Sequence, residues 1–159
     1  MAIVTGRYDG NRERALDAIE AIDGAHDGPV QAVDARYLVG RDHLERAIEL
    51  AERERAAGDA IARDPAVEIL LYAAGRRQID RALDMGLGTD AHDVAIVAPD
   101  AAVDRLRGAE WLDPRPVFES VDRERIRSFF EISDRELAAT RGDLADLVYE
   151  RVALLVVER

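Results

Sequence analysis

Residues 65–79 read "PAVEILLYAAGRRQI", and the first ten of them predict a helix that the rest of the fold surrounds. Asp64 and Pro65 are typical of an N-cap and of the first helical position. The residues that follow, 66–74, are apolar on nearly every side, which favours a helix in the core rather than at the surface. Gly75 predicts the end of this helix in a left-handed conformation.

Two arginines, Arg76 and Arg77, stand at the start of the next predicted helix. Positive charge is normally unfavourable there, because the exposed N–H groups of a helix start already carry partial positive charge. One interpretation is a solvated helix start whose arginines pair with Asp80 or Asp84. The other is a site for a small anion or a nucleotide end, where free backbone N–H groups, both guanidinium groups and the amide of Gln78 converge.

The composition is that of an acidic chain of 159 residues with a net charge of −11 and no cysteine. All 22 basic residues are arginine, and aromatic residues make up only 5%. This pattern is typical of the salt-rich cytoplasm of haloarchaea, where excess carboxylates keep a protein surface hydrated. An ordinary acidic mesophilic protein is the alternative. The acidity argues against broad nucleic-acid binding but leaves room for a small local site.

Several classes of protein are disfavoured by the same sequence. No apolar stretch reaches the length of a transmembrane span, and the N-terminus lacks the regions of a signal peptide. We therefore expect a soluble protein of the cytoplasm. The lack of cysteine excludes disulfides and thiolate chemistry.

Strand patterns occur at residues 2–8, 29–35 and 93–99, and the last of these is apolar on both faces, which predicts a central strand. Residues 115–120, "RPVFES", predict an edge strand because their prolines suit no central position. Together with the helix signals, these strands predict an α/β fold. We expect one domain over residues 1–159, with a small mixed sheet of three or four strands covered by about seven helices.

The helix signals themselves are caps and apolar faces. They are Asn11 before a helix that Gly24 ends, a capping box at Asp42 and Glu45, a helix over 76–85 with Ile79, Ala82 and Leu83 inward, Asp100 to Gly108, Asp122 before Ile126, Phe129 and Phe130, a capping box at Ser133 and Glu136, and a last helix over 143–157.

Catalytic and metal sites are poorly supported by the sequence, and we predict neither. The histidines are scattered, "TDAHD" at 89–93 is better explained as a polar turn than as a metal site, and the serines occur in capping and edge contexts. His43 is expected to help cap its helix rather than bind a ligand. Glu68, in an otherwise apolar helix, is either its one solvent-facing residue or the internal partner of an arginine, and we favour the ion pair.

Residues 67–86, "VEILLYAAGRRQIDRALDMG", resemble the signature of the TPRKB family, the regulatory subunits of the KEOPS complex. In that family a helix of E-I-L-L-Y type continues into a glycine and then R-Q-I. Further similar segments follow the family's order: "DARYLVGRDHLERAIELAE" at 34–52, "VAIV" at 94–97 and "YERVALLVVE" at 149–158. The resemblance covers most of the chain.

This resemblance implies a protein that is not an enzyme and needs no cofactor. Family members bind the small atypical kinase/ATPase of KEOPS, which binds the catalytic threonylcarbamoyl-transferase subunit, which in turn binds a dimerising subunit. The complex makes threonylcarbamoyladenosine beside the anticodon of tRNAs that read ANN codons. The family's subunit helps to recruit tRNA through its single-stranded CCA end.

Gly75, Arg77, Gln78 and Ile79 match the family's Gly-x-Arg-Gln-Ile pattern, whereas Arg76 falls at its variable position. By this resemblance Arg77 would contact a phosphate or base, Gln78 a base edge, and Gly75 would allow close approach of the backbone. A role for Arg76 at the same tRNA-end site is our inference from its position.

Two further assignments are less specific. Tyr37 or Tyr72 would stack on a base, although packing explains each of them better. The kinase is expected to dock on the C-terminal helix at Leu155 and Val156, because that helix is more apolar than one buried face requires.

Two other functions stay open at this point. The chain would act as a protein-interaction subunit without any RNA contact, or as a small enzyme that handles a phosphorylated metabolite at Arg76 and Arg77. The second alternative has no identifiable nucleophile or general base near those arginines in the sequence.

Overall fold

Four strands form one sheet in the order β2-β3-β1-β4. In the computed structural model, which describes residues 1–157, they span Ala2–Tyr8 (β1), Gln31–Asp34 (β2), His92–Ala98 (β3) and Leu112–Pro114 (β4). The α/β class is confirmed, but each pairing is antiparallel, so the sheet is not mixed. β1 and β2 run in the same direction but do not pair with each other, because β3 lies between them and runs in the opposite direction.

Eight α-helices lie within residues 1–157, and none of them is long and apolar enough to cross a membrane. Glu158, the last residue of the segment similar to the family's C-terminal helix, is outside the described residues. The helices are Arg12–Ala25 (α1), Arg41–Ala56 (α2), Pro65–Ala74 (α3), Ile79–Ala82 (α4), Val103–Arg107 (α5), Arg123–Phe130 (α6), Asp134–Ala139 (α7) and Leu144–Val157 (α8).

β3 lies in the middle of the core because helices cover both of its faces. Val94 and Ile96 belong to the apolar layer formed with α1 and α5. Ala95 and Val97 belong to the opposite layer, formed with α2, α3, α6 and α8. This alternation is the period of two expected for a strand, and the prediction of a central strand is confirmed.

α3 is the buried helix that the sequence predicts, with the same first and last residues. The Asp64 carboxylate accepts a hydrogen bond from the N–H of Ala66, and Pro65 occupies the first turn. Gly75 ends the helix with φ = 62°, in the left-handed region. Eight of its ten residues are buried, so the helix is held by packing on every side.

The boundaries of α1 and α2 differ from the predicted ones. Gly24 lies inside α1, which continues to Ala25. The N-cap of α2 is Gly40, and Asp42 lies within the first turn instead of capping it. A carboxylate in the first turn still stabilises the helix through its dipole, which explains why the sequence pattern is similar to a capping box.

The edge strand is β4, three residues before the predicted segment 115–120. Pro116 has no N–H to donate, so pairing with β1 ends once the N–H of Arg115 has donated to the carbonyl of Thr5. The helix predicted over 76–85 begins only at Ile79, and this shift changes its inward face. Ala82 is buried there, whereas Ile79 and Leu83 are 47% and 54% exposed.

Candidate functional site

Gly75 lets the C-terminal helix pack directly against the end of α3. A Cβ atom at this position would lie 3.2 Å from the carbonyl oxygen of Arg151 in α8, which is closer than side chains normally approach. Since φ is also positive, a residue other than glycine would be strained here. The close backbone approach at Gly75 is therefore made to α8.

Arg76 turns into the protein and not towards solvent. Its Nη2 donates a hydrogen bond to the carbonyl of Phe129, its Nη1 lies 3.5 Å from Glu131, and its guanidinium lies 5.3 Å from the centre of the Phe129 ring. Phe129 is in the last turn of α6, where carbonyls lack partners within the helix and positive charge is favourable. The charge of Arg76 thus stabilises the C-terminus of another helix, and neither Asp80 nor Asp84 is its partner.

Arg77, Gln78 and Ile79 are exposed and form the free part of the predicted site. Within residues 1–157, Arg77 makes no ion pair. Gln78 is the N-cap of α4 but its side chain makes no capping hydrogen bond. These side chains are therefore available to a ligand, and Arg76 is not free to join them without losing its contacts to α6.

A cleft of about 540 Å³ opens beside this turn, between α4, α6 and the 3-10 turn Ala35–Tyr37. Arg125 lies across it: the Nε atom is 3.3 Å from Asp122, Nη1 is 3.5 Å from the Tyr37 hydroxyl, and the guanidinium is 5.4 Å from the centre of the Tyr37 ring. The hydrogen bond to Tyr37 raises the pKa of Arg125 further. This cleft was not predicted from the sequence, in which the arginine-rich "RERIRSFF" of α6 is the local signal for it.

The predicted kinase-docking helix, α8, presents other residues than those expected. Leu155 is 1% exposed and packs in the core, so this side chain is not on the docking surface, contrary to the sequence-based assignment. Val156 is partly buried. The exposed apolar side chains are Leu154 and Val157, at 40% and 77%. The sequence could not distinguish them because both faces of this helix are apolar.

A shallow groove of about 360 Å³ runs between α2 and α8 next to these residues. Tyr149 lies on its floor, and the Arg46 guanidinium is stacked 4.1 Å from the centre of the Tyr149 ring. The groove combines apolar side chains with charged residues of α2, as partner-binding surfaces commonly do.

Glu68 is the internal ion-pair partner that the sequence predicted. It is fully buried, and its carboxylate accepts hydrogen bonds from the N–H groups of Ile61 and Ala62, each at 3.0 Å. The Arg55 guanidinium lies 3.3 Å away. Glu68 thereby fixes the connection between α2 and α3.

His43 also has a structural role. Its Nδ1 accepts from the N–H of Val39 at 3.2 Å, so Nε2 carries the proton and donates to the carbonyl of Ala73 at 2.8 Å. The ring is fully buried, and burial lowers the pKa of His43 to about 4. His43 is therefore neutral near pH 7, and it joins the start of α2 to the end of α3.

The other aromatic and histidine candidates differ in their exposure. Tyr72 is buried and cannot stack on a base, whereas Tyr37 is partly exposed at the cleft. His92 is buried at the start of β3, 3.4 Å from Asp34 and accepting a hydrogen bond from the N–H of Gly88. No group of three or more potential ligands in residues 1–157 could hold a metal ion.

The sequence is similar to a known protein family. The family model described as "Kinase binding protein CGI-121" matches residues 11–155, which is most of the chain. No curated protein sequence matches significantly.

Proposed function

The chain belongs to the CGI-121 family of kinase-binding proteins, and we propose that it is a non-catalytic accessory subunit of the KEOPS complex. In this role it binds the small atypical kinase/ATPase, and through that kinase it joins the threonylcarbamoyl-transferase and dimerising subunits. We further propose that it recruits tRNA by the single-stranded CCA end, in the cytoplasm.

The observation that carries the tRNA part of this proposal is the exposure of Arg77, Gln78 and Ile79 in a chain of net charge −11. The guanidinium of Arg77, the amide of Gln78 and the apolar side chain of Ile79 are adjacent, and all three are exposed. An exposed amide can hydrogen-bond a base edge and a guanidinium can contact a phosphate. The small extent of the site suits a single-stranded end better than a duplex.

The kinase would dock on the α8 surface formed by Leu154, Val157, Tyr149 and Ala153. Exposed apolar side chains that lie next to one another form a patch of the kind that a protein partner covers. This surface lies on α8 and the neighbouring α2, whereas the proposed RNA contacts follow the end of α3, so one subunit can hold both partners.

The decisive experiment compares a tRNA with and without its CCA, in molar KCl, with the cognate kinase present. We expect loss of binding without the CCA and the same loss for Arg77→Ala. Arg107→Ala, an exposed arginine of α5 on the other face of the sheet, is the matched control and should bind normally.

The same measurement tests the second candidate function, a kinase-binding scaffold without RNA contact. This second function is supported by Arg76, whose guanidinium is bound to α6 and Glu131. The proposed RNA site therefore has one free guanidinium, that of Arg77, where the sequence suggests two. Kinase binding with no effect of either the CCA or Arg77→Ala would favour the scaffold.

A further inference from the structure

The cleft beside α4 lies between two arginine-rich segments of an otherwise acidic chain. Residues 76–81 and residues 123–128 each contain three arginines and a single carboxylate. Arg81 of the first segment and Arg125 of the second both line the cleft. The lining also contains the carboxylates of Asp122 and Glu124, and Asp122 is paired with Arg125, so Arg81 is the positive charge of the cleft that can attract an anion.

The side chains of the cleft differ in what they can bind. Arg81 is exposed and makes no ion pair within the part of the chain that the structure describes, so its guanidinium is available to a phosphate. Arg125 lines the same cleft and is held in place by Asp122 and Tyr37. Arg81 is therefore the candidate phosphate contact of the cleft, with Arg125 held beside Tyr37.

Tyr37 and Glu124 also line the cleft, and they offer groups that a base can use. The Tyr37 ring is partly exposed and packs edge-on against Phe129, with ring centres 5.1 Å apart, which holds it in place. A fixed ring of this kind is a stacking platform for a base. Glu124 also lines the cleft, and a carboxylate accepts hydrogen bonds from the exocyclic amino group of a base. Its charge disfavours a phosphate beside it, whereas the guanidinium of Arg81, which makes no ion pair within residues 1–157, favours one.

The cleft volume of about 540 Å³ lies within the range typical of small-molecule sites and can hold one nucleotide. Arg77 lies two positions before the start of α4, and Arg81 lies within α4, so the two arginines are four positions apart in one short segment. A single-stranded RNA that contacts Arg77 therefore reaches the cleft along α4, without crossing another helix or strand of the protein.

We propose that this cleft binds the unpaired nucleotide that precedes the CCA. Its base lies against Tyr37, and the phosphate that joins it to the CCA lies on Arg81. The inference rests on the proposed function, because it takes the CCA itself to lie at Arg77 and Gln78. It adds a second contact, so that the site holds four nucleotides instead of three.

The test uses the full chain and two RNAs, the trinucleotide CCA and the tetranucleotide ACCA, titrated in molar KCl and followed by NMR, which measures weak affinities. Stacking of one more base predicts that the tetranucleotide binds about tenfold more tightly. Arg81→Gln should remove most of this gain and leave the affinity for CCA unchanged. Arg105→Gln, an exposed arginine of α5, should alter neither.

The outcomes separate the inference from the proposed function. If neither RNA binds, the proposed tRNA contact itself is wrong. If both bind equally and both depend on Arg77, the CCA site stands and the cleft is not part of it. Tyr37→Phe keeps the packing on Phe129 and the stacking ring, and should preserve the gain; Tyr37→Ala should lose it, with the fold checked by the same spectra.

Discussion

Arg76 and Arg77 are chemically identical neighbours with different environments. Arg76 donates a hydrogen bond to the Phe129 carbonyl in the last turn of α6 and its side chain is 20% exposed, whereas Arg77 is exposed and makes no ion pair within residues 1–157. The difference arises from packing, because only one of two consecutive side chains can point at α6. Consecutive residues can thus divide stability and ligand binding between them.

Arg76→Ala should therefore destabilise the fold, and Arg77→Ala should not. The first substitution leaves the Phe129 carbonyl without its charged donor and removes the stacking on the Phe129 ring. We expect a loss of about 2 kcal/mol in the free energy of unfolding, against less than about 0.5 kcal/mol for Arg77→Ala. Thermal and urea unfolding of the two variants measure this. Equal stabilities would show that the internal contacts of Arg76 contribute nothing.

His43 should make the stability depend on pH in the weakly acidic range. Its pKa of about 4 in the folded chain is below the value of about 6.5 expected when unfolded, so between these pH values only the unfolded chain binds the proton. The contribution of neutral His43 to the free energy of unfolding is therefore fully present above pH 6.5. As the pH falls towards 4, this free energy decreases by about 3 kcal/mol.

Urea unfolding at a series of pH values between 4 and 7 measures this dependence. His43→Gln keeps a donor for the Ala73 carbonyl but does not titrate, so its stability should change less over the same range. A variant with the same pH dependence as the original chain would assign the effect to the carboxylates instead.

The elements divide into a buried framework and an exposed last helix. α3 makes almost no contact with solvent, and Glu68 and His43 tie its neighbours to it through backbone hydrogen bonds. α8 is different: Val152 and Leu155 face the core while Leu154 and Val157 face outwards. An exposed apolar face on an ordered helix has a physical reason if a partner covers it.

Leu154→Asp should weaken kinase binding by at least tenfold and change the unfolding midpoint little, since Leu154 is 40% exposed. The matched control is Leu16→Asp, because Leu16 is a leucine of α1 with the same 40% exposure, on the opposite face of the sheet. Binding of the purified kinase by calorimetry compares them. Equal affinities for the two variants would remove α8 from the docking surface.

At the scale of the whole molecule, the sequence predicts what depends on local signals. α3 was predicted to the residue because Asp64, Pro65 and Gly75 mark its ends within the segment itself. The role of Arg76 could not be predicted, because its partner Phe129 is 53 positions away along the chain. β4 was missed because three residues carry no periodic pattern.

The candidate site follows the same division. The exposed residues Arg77 and Gln78 were named from a motif, whereas the cleft requires Tyr37, Arg81 and Arg125 to meet from three separate segments. No local pattern of charge or hydrophobicity encodes such a meeting. A candidate site can be named from the sequence when it lies in one continuous segment, whereas a cleft that is assembled by folding requires the structure.

The net charge of −11 should make the fold more stable in molar KCl than in dilute buffer. Salt weakens the surface ion pairs, which are worth little when exposed, but it also screens the repulsion among 33 carboxylates. The screening length falls from about 10 Å at 0.1 M to about 3 Å at 1 M, which is shorter than most distances between unpaired charges. The relief of repulsion therefore exceeds the loss of ion pairs, and the thermal midpoint should rise with KCl.

A charge-reduced variant tests whether repulsion is the cause. Glu13→Gln, Asp17→Asn and Glu20→Gln together remove three exposed charges from α1 and leave the core unchanged. If repulsion destabilises the chain, this variant is more stable than the original in dilute buffer, and its further gain in KCl is smaller. A midpoint that does not rise with KCl in the original chain would mean that its carboxylates are already balanced by arginine, and the composition would then say nothing about a salt-rich habitat.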